Sequence, residues 1–312
     1  MSTIDHPPKP KRRWYQFSLL TLMLAVTLFT VGVGGIGSRM YRARQNRDRV
    51  AAVEEAVVKI EKLRGHVITT FEERRPQTWL EEQFDDPGGP DNPVSVLKVT
   101  EVKLPGTEST DAALEHLTVF TELTDLRLGG LWRPENGQRN VTDAGLEHLK
   151  GLTNLRYLVA CGTKIGDAGL GHLKGLTNLR GLAITDTNVT DAGLKHLTGL
   201  TNVQGLFLNG TKITDAGLLH LKGMTKLNDL NINDTKITDV GMEHLKGLTN
   251  LQTLNLRGTE VTDAGLEHLK ALSSLKKLVL YDTNVTDAGV RKFQQVLPHC
   301  KIWSPFTISS LE

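Results

Sequence analysis

Seven histidines in this 312-residue chain recur at regular positions. His116 stands first, and His148, His172, His196, His220, His244 and His268 follow one another at steps of 24 residues. A row of imidazoles invites zinc or proton-transfer chemistry. Carboxylates keep the same step: Asp111 stands first, then Asp143, Asp167, Asp191, Asp215, Asp239, Asp263 and Asp287. Positioned carboxylates are the groups of general acid–base catalysis. The spacing argues against both chemistries. Each His and each Asp belongs to a different copy of one unit, and a residue demanded by every copy is structural. Helices packed side by side stand about 10 Å apart, too far for adjacent rings to share a zinc ion through Zn–N bonds of ~2 Å. The histidines read as a packing and hydrogen-bonding ladder, and the aspartates as helix caps.

Little else resembles reaction chemistry. Gly32–Gly37 (GVGGIG) imitates a phosphate-binding glycine loop, but it lies inside an apolar run where small residues suit helix packing. The acids between Asp85 and Pro93 lack the spacing of a calcium loop and read as a proline- and glycine-rich turn region. There is no recognisable nucleophile–base pair. The chain is therefore not read as an enzyme, and no cofactor or metal is expected.

The element behind both ladders is the phrase VTDAGLEHLKGLTNL at Val141, which recurs from Ile165, Val189, Ile213, Ile237, Val261 and Val285. A fixed short period marks a solenoid, whose repeats bury their apolar faces against their neighbours. With Leu155 as position zero, apolar residues fall at offsets 0, 3, 5, 10, 15, 18 and 21: Leu155, Leu158, Ala160, Ile165, Leu170, Leu173 and Leu176. Offsets 3 and 5 alternate, as on a strand, and offsets 15, 18 and 21 recur at helical spacing. Thr142-Asp143 supplies a cap at the helix start, and Lys150-Gly151 a cation and a glycine at its end. The frame reaches upstream through Val99, Val102 and Leu104, with Ser109 as an exception, and eight residues are inserted before Leu155. Eight repeats result, over residues 99–298, with a C-terminal cap and tail at 299–312.

The flanks read differently. Residues 1–16 are a basic tail. Residues 17–37 (FSLLTLMLAVTLFTVGVGGIG) carry no charge and are long enough, at 1.5 Å per residue, to cross a ~30 Å hydrocarbon core. Trp14 and Tyr15 stand at its entry, as interface anchors do. An uncleaved transmembrane helix in the lipid bilayer is expected, with a cleaved signal peptide ending near Gly35-Ile36-Gly37 as the alternative. Four basic residues precede the span and five follow it, so orientation is nearly balanced; repeats on the non-cytoplasmic side of a single-pass protein are the reading taken. Residues 38–64 read as a juxtamembrane helical stalk, with Val50, Val53, Val57 and Ile60 at helical spacing. Residues 65–98 read as a small α/β N-terminal cap, with a strand at Val67–Phe71 and a short helix at Thr78–Phe84.

Charge is uneven. Residues 1–50 hold nine Lys and Arg against two acids, a net +7. Of the chain's 37 basic and 35 acidic residues this leaves 28 and 33, a net −5 for the rest. A mildly acidic solenoid weighs against a nucleic-acid partner. Cys161 and Cys300 lie nearly six repeats apart, about 28 Å at ~4.8 Å per stacked strand. A disulfide needs Cα atoms within ~7 Å, so two free thiols are expected.

The pattern LxxLxLxxTxITDAGLxHLKGLTN resembles the leucine-rich repeat, close to its cysteine-containing subclass. The whole arrangement resembles bacterial leucine-rich-repeat proteins with one N-terminal membrane span. Where that subclass has Cys or Asn, this chain has Thr163, Thr187, Thr211, Thr235, Thr259 and Thr283. The resemblance implies an α/β solenoid and a protein partner held by the concave sheet face. An F-box-like segment is not visible, so an adaptor role in ubiquitin transfer is not carried over.

The positions left free by the repeat bear on binding. Offsets 2, 4 and 6 point from the strands onto the concave face, and there stand Tyr157, Val159, Ala183, Phe207, Asn209, Arg257 and Tyr281. Aromatic anchors on an exposed sheet are typical of binding hot spots. Gly181 and Gly205 are expected to leave a shallow pocket between Tyr157 and Phe207. The insertion at Leu131–Asn140 adds Trp132 on the rim. The chain is read as a membrane-anchored protein-recognition module. The alternative is a structural protein of the cell envelope, assembled through lateral contacts between solenoids.

Overall fold

Three residues of each repeat are extended before the chain turns away, so the strands are short and their number follows the number of repeats. The computed structural model describes residues 44–45, 47–63, 65–73, 95–104, 109–128 and 140–306. The apolar run 17–37, the expected Thr78–Phe84 helix, the Asp85–Pro93 loop and Trp132 lie outside these residues. Among the described residues no helix is long and apolar enough to cross a membrane. The chain divides into two units, Met1–Ala51 and Ala52–Glu312. The described residues of the first, 44–45 and 47–51, are all helical.

In the second unit ten strands form one sheet in sequence order. They are β1 (His66–Glu73), β2 (Ser95–Leu104), β3 (Asp125–Leu128), β4 (Tyr157–Val159), β5 (Gly181–Ala183), β6 (Gly205–Phe207), β7 (Asp229–Asn231), β8 (Thr253–Asn255), β9 (Lys277–Val279) and β10 (Lys301–Trp303). β1 pairs antiparallel with β2, and every later pair is parallel. Short helices return the chain from one strand to the next, for example Asp167–Leu173 between β4 and β5. The expected seven-offset core is buried throughout: Leu155, Leu158, Ala160, Ile165, Leu170, Leu173 and Leu176 are at most 1% exposed. Each large aliphatic side chain so buried contributes about 1.5–3 kcal/mol. Ser109, the exception to the pattern, is also buried, and its hydroxyl donates to Leu104 O at 3.1 Å. That bond offsets the cost of burying it.

Two polar columns run through the array, and only the second bonds from repeat to repeat. The threonines Thr163, Thr187, Thr211, Thr235 and Thr259 are buried, and each hydroxyl donates to the carbonyl three residues back at 2.5–2.8 Å. They close the turn after each strand from inside. The aspartates at the helix starts accept from the next repeat instead: Asp215 takes the N–H of Thr238 at 2.8 Å and its hydroxyl at 2.6 Å. A glycine stands above each carboxylate from Asp111 to Asp263. A Cβ on Gly241 would lie 2.4 Å from Asp215 Oδ1, and one on Gly193 the same distance from Asp167 Oδ1. The glycine of DAGL is thus a clearance for its neighbour's carboxylate.

Left-handed backbone marks the turn after each of β4–β9, at Gly162, Asp186, Gly210, Asp234, Gly258 and Asp282, with φ from 53° to 67°. Glycine adopts this conformation freely, and aspartate tolerates it better than most residues. The two types alternate for a reason visible in the packing. A Cβ on Gly210 would lie 2.1 Å from Asp186 Oδ1, and one on Gly258 would lie 2.4 Å from Asp234 Oδ1. Asp186 and Asp234 thus each have a glycine beside them in the next repeat.

The ends differ from the sequence reading in one respect. Residues 52–62 are helical, but they are not a free stalk: Val53, Ala56 and Ile60 are buried in one apolar cluster with Val102 and Leu104. The three lie at helical spacing on one stripe, and the first repeat has an apolar face with no preceding repeat to cover it. The helix belongs to the cap. Gly65 follows it and sits against Ile60, where a Cβ would come within 2.7 Å of Cγ2. The expected strand at Val67–Phe71 is found within β1. At the other end, Ile302 of β10 is buried, and Gln294 Nε2 donates to the carbonyls of Leu297, Pro298 and Cys300 at 2.9–3.2 Å.

Candidate functional site

The parallel register sorts the open face of the sheet into rows. Tyr157, Gly181, Gly205, Asp229, Thr253 and Lys277 form the first. Val159, Ala183, Phe207, Asn231, Asn255 and Val279 form the second, and Trp303 extends it on β10. The glycines of the first row have a use that differs from the expected pocket. A Cβ on Gly181 would meet the Tyr157 ring at 2.7 Å, and one on Gly205 would meet the Phe207 ring at 3.3 Å. Each ring sets an edge against a glycine: Tyr157 Cδ1 and Cε1 stand nearest at Gly181, and Phe207 Cε2 and Cζ at Gly205. Ring edges thus occupy the space beside the two glycines where a hollow was expected. Tyr157 is 44% exposed, Val159 and Phe207 are half-buried, and Ala183 is buried between Val159 and Phe207 in the register.

The other expected site residues are not part of that patch. Asn209 is held by Thr185, whose hydroxyl donates to its Oδ1 at 2.8 Å. Arg257 and Tyr281 are exposed on successive repeats further along, and Arg257 Nε donates to Asp282 Oδ2 at 3.0 Å. Between the two groups lies a polar stretch. Asn231 Oδ1 accepts from Asn233 N at 3.2 Å, and Asn255 Oδ1 accepts from Arg257 N at 3.1 Å, so both amides are fixed by the backbone. Burial raises the carboxyl of Asp229 above its ordinary pKa, and the Lys277 ammonium pulls it partly back.

The sequence reading missed one further aromatic. Trp303 is 39% exposed on β10, with Lys277 Nζ 4.5 Å and Lys301 Nζ 5.4 Å from its ring centroid. Its position was readable: Ile302 follows Leu278 by 24 residues, which puts Trp303 at the place of Val279. The histidine ladder is spread over the helices. The His196 ring lies 3.7 Å from where a Cβ on Gly171 of the preceding helix would be. Among the described residues no three His, Cys, Asp or Glu side chains are grouped to hold a metal ion. Cys161 and Cys300 are free and buried, and burial pushes the Cys300 thiol up to about 11.

One short parallel strand per 24 residues, a helix returning each strand to the next, and a leucine core at fixed offsets define a leucine-rich-repeat solenoid. The leucine rich repeat family model matches residues 201–261. Among solved structures, internalin C2 of Listeria monocytogenes is similar at 24% identity and a TM-score of 0.52, with 66% of this chain and 80% of that chain covered. Internalin F of the same organism is 22% identical with a TM-score of 0.48, covering 66% of this chain and 59% of that one. No curated protein matches the sequence. The likeness to internalin C2 is one of fold.

Proposed function

We propose that this chain is a membrane-tethered recognition module that holds a protein partner on the open face of its sheet. The observation that carries the reading is the patch of Tyr157, Val159, Ala183 and Phe207, where two rings set their edges against two glycines. Aromatic side chains packed against a sheet offer apolar area with little side-chain entropy left to lose on binding. The leucine-rich-repeat fold supports a binding role over a catalytic one. The buried threonine column supports a place near the cysteine-containing subclass of the repeat. The uncharged run at 17–37 supports a single-pass anchor, with the repeats on the non-cytoplasmic side.

A photo-crosslinking amino acid at Tyr157 of the full chain, in cells, tests the partner site. A discrete protein adduct is expected from that position, weakened by Phe207→Asp and absent with the crosslinker at Lys174 on the helix side. Equal adducts from both positions would defeat the reading. Membrane-impermeant maleimide on a Lys174→Cys chain tests the topology, with labelling of intact cells expected. Labelling only after permeabilisation would put the repeats in the cytoplasm.

A further inference from the structure

Cations depart from the repeat along the edge where the strands begin. The residue before each strand is Arg156, Arg180, Gln204, Asn228, Gln252 and Lys276 in turn. The two arginines are neighbours: Arg180 N donates to Arg156 O at 2.7 Å, so their backbones are in direct contact. Both side chains are exposed. Like charges so placed repel. Arg127, Arg257 and Arg291 each meet a carboxylate within 4 Å, whereas among the described residues neither Arg156 nor Arg180 has such a partner.

A third cation joins them through another departure. Asn154, Asn178, Asn202 and Asn250 each donate an amide N–H to a loop carbonyl of the preceding repeat at 2.8–3.0 Å. Lys226 stands in that column where a further Asn would fall. Its ammonium donates to Asn202 Oδ1 at 2.7 Å, which directs it toward the repeats that carry the arginines. Arg156, Arg180 and Lys226 line one shallow cleft with Asn154, Asn178, Asn202 and Gln204, and no carboxylate lines it. Its volume is about 280 Å³. Small-molecule sites occupy ~300–1,000 Å³, so the cleft suits one or two side chains of a larger partner. Guanidinium groups take carboxylates in a two-pronged bond that an amide cannot match.

The cleft also borders the aromatic patch on the same three strands. Arg156 precedes Tyr157, Arg180 precedes the Gly181 that lies against the Tyr157 ring, and Gln204 precedes the Gly205 against Phe207. We infer that this cleft receives carboxylate side chains of a protein segment whose neighbouring apolar residues rest on the Tyr157–Phe207 patch. The inference rests on the recognition reading above and specifies its partner as an acidic and apolar segment.

The test is selection from a displayed random-peptide library by the full chain in nanodiscs. Parallel selections use Arg156→Gln/Arg180→Gln and Phe207→Asp. Against the unaltered chain, recovered peptides should be enriched several-fold in Asp or Glu beside an aromatic or aliphatic residue. Their binding should weaken about tenfold as added salt screens the exposed charges. The double arginine variant should keep the apolar preference and lose the acidic one. Apolar peptides without an excess of acids, or an acidic excess that survives on that variant, would overturn the cleft and leave the patch standing. A failure to recover any peptide that depends on Phe207 would overturn both.

Discussion

The carboxylate of Asp191 accepts the backbone N–H of Thr214 at 2.7 Å and the Thr214 hydroxyl at 2.6 Å, one repeat further along the chain. Both oxygens are thus engaged by the neighbouring repeat, and Gly217 lies above them with no room for a side chain. Asp287 occupies the same place in the last repeat, and there the carboxylate meets Arg291 at 2.6 Å on an exposed helix turn. Asp191→Ala is expected to cost about 1–3 kcal/mol, because a half-buried N–H and a hydroxyl lose their acceptor. Asp287→Ala should stay within about 1 kcal/mol, as exposed ion pairs do. Urea unfolding of the two variants, side by side, checks the difference; equal losses would remove the special role of the inter-repeat bond.

Among the described α-helix starts Gly166 and Thr214 make no side-chain cap bond, and only Gly166 lacks the hydroxyl for one. Gly166 stands where the other described repeats have threonine, and Asp143 Oδ1 accepts its N–H at 2.6 Å without a hydroxyl for the second oxygen. The backbone there has φ −124° and ψ −156°, near the φ −119° and ψ −174° of the capping Thr190. A Cβ on Gly166 would have Asp143 Oδ2 as its nearest neighbour at 3.5 Å, an ordinary contact. Gly166→Thr should therefore stabilise the chain by about 1 kcal/mol. A melting temperature that stays level or falls would contradict the account of the cap.

The left-handed turns make a coupled prediction. Gly258→Ala introduces a methyl group where Asp234 Oδ1 already lies and places a Cβ on a residue with φ 66°. In the Asp234→Gly background the first conflict is gone, and only the backbone cost of about 1–2 kcal/mol remains. Gly258→Ala should thus destabilise the parent chain more than the Asp234→Gly chain, with a coupling of at least about 0.5 kcal/mol in a double-mutant cycle. Additive losses would mean that the two side chains do not compete for the same space.

Asp229 gives a dependence on pH. Its folded carboxyl titrates above the ordinary value of 3.8 because burial disfavours the charge. At a pH below 3.8 both folded and unfolded chains carry the proton, and the residue has no effect through ionisation. As pH rises past that value the unfolded chain loses the proton first, and the penalty on the folded state grows until its own carboxyl has ionised and stays constant at higher pH. Asp229→Asn should therefore raise the melting temperature at neutral pH, with a gain that shrinks in acid. A gain independent of pH would point to packing instead of charge.

The core was legible because burial follows the period. Leu158 and its counterparts every 24 residues must face inward for the repeats to stack, and they do. The rows of the open face followed from the same alternation, which placed Tyr157, Val159, Ala183 and Phe207 correctly on one surface. What those side chains do there was not legible. That Tyr157 and Phe207 lie against glycines is a matter of rotamer and clearance, and a period carries no information on either. The docking of Val53, Ala56 and Ile60 was missed because an amphipathic stripe says that a face is covered, without saying by what. Arg156, Arg180 and Lys226 look like ordinary solvated positions until the array brings them to one edge.

The alternation of Gly and Asp at the left-handed turns also bears on how such an array can grow or shrink. The pattern returns to itself after two repeats, since Gly210 and Gly258 are equivalent and so are Asp186 and Asp234. Excision of residues 187–210 would set Asp186 directly beside Asp234, with two carboxylates in the space that one fills now. Excision of residues 187–234 would leave Asp186 beside Gly258 and preserve every neighbour relation. The natural unit of duplication in this chain is therefore the pair of repeats, and a gene that lengthens in single steps would meet a barrier at every second one.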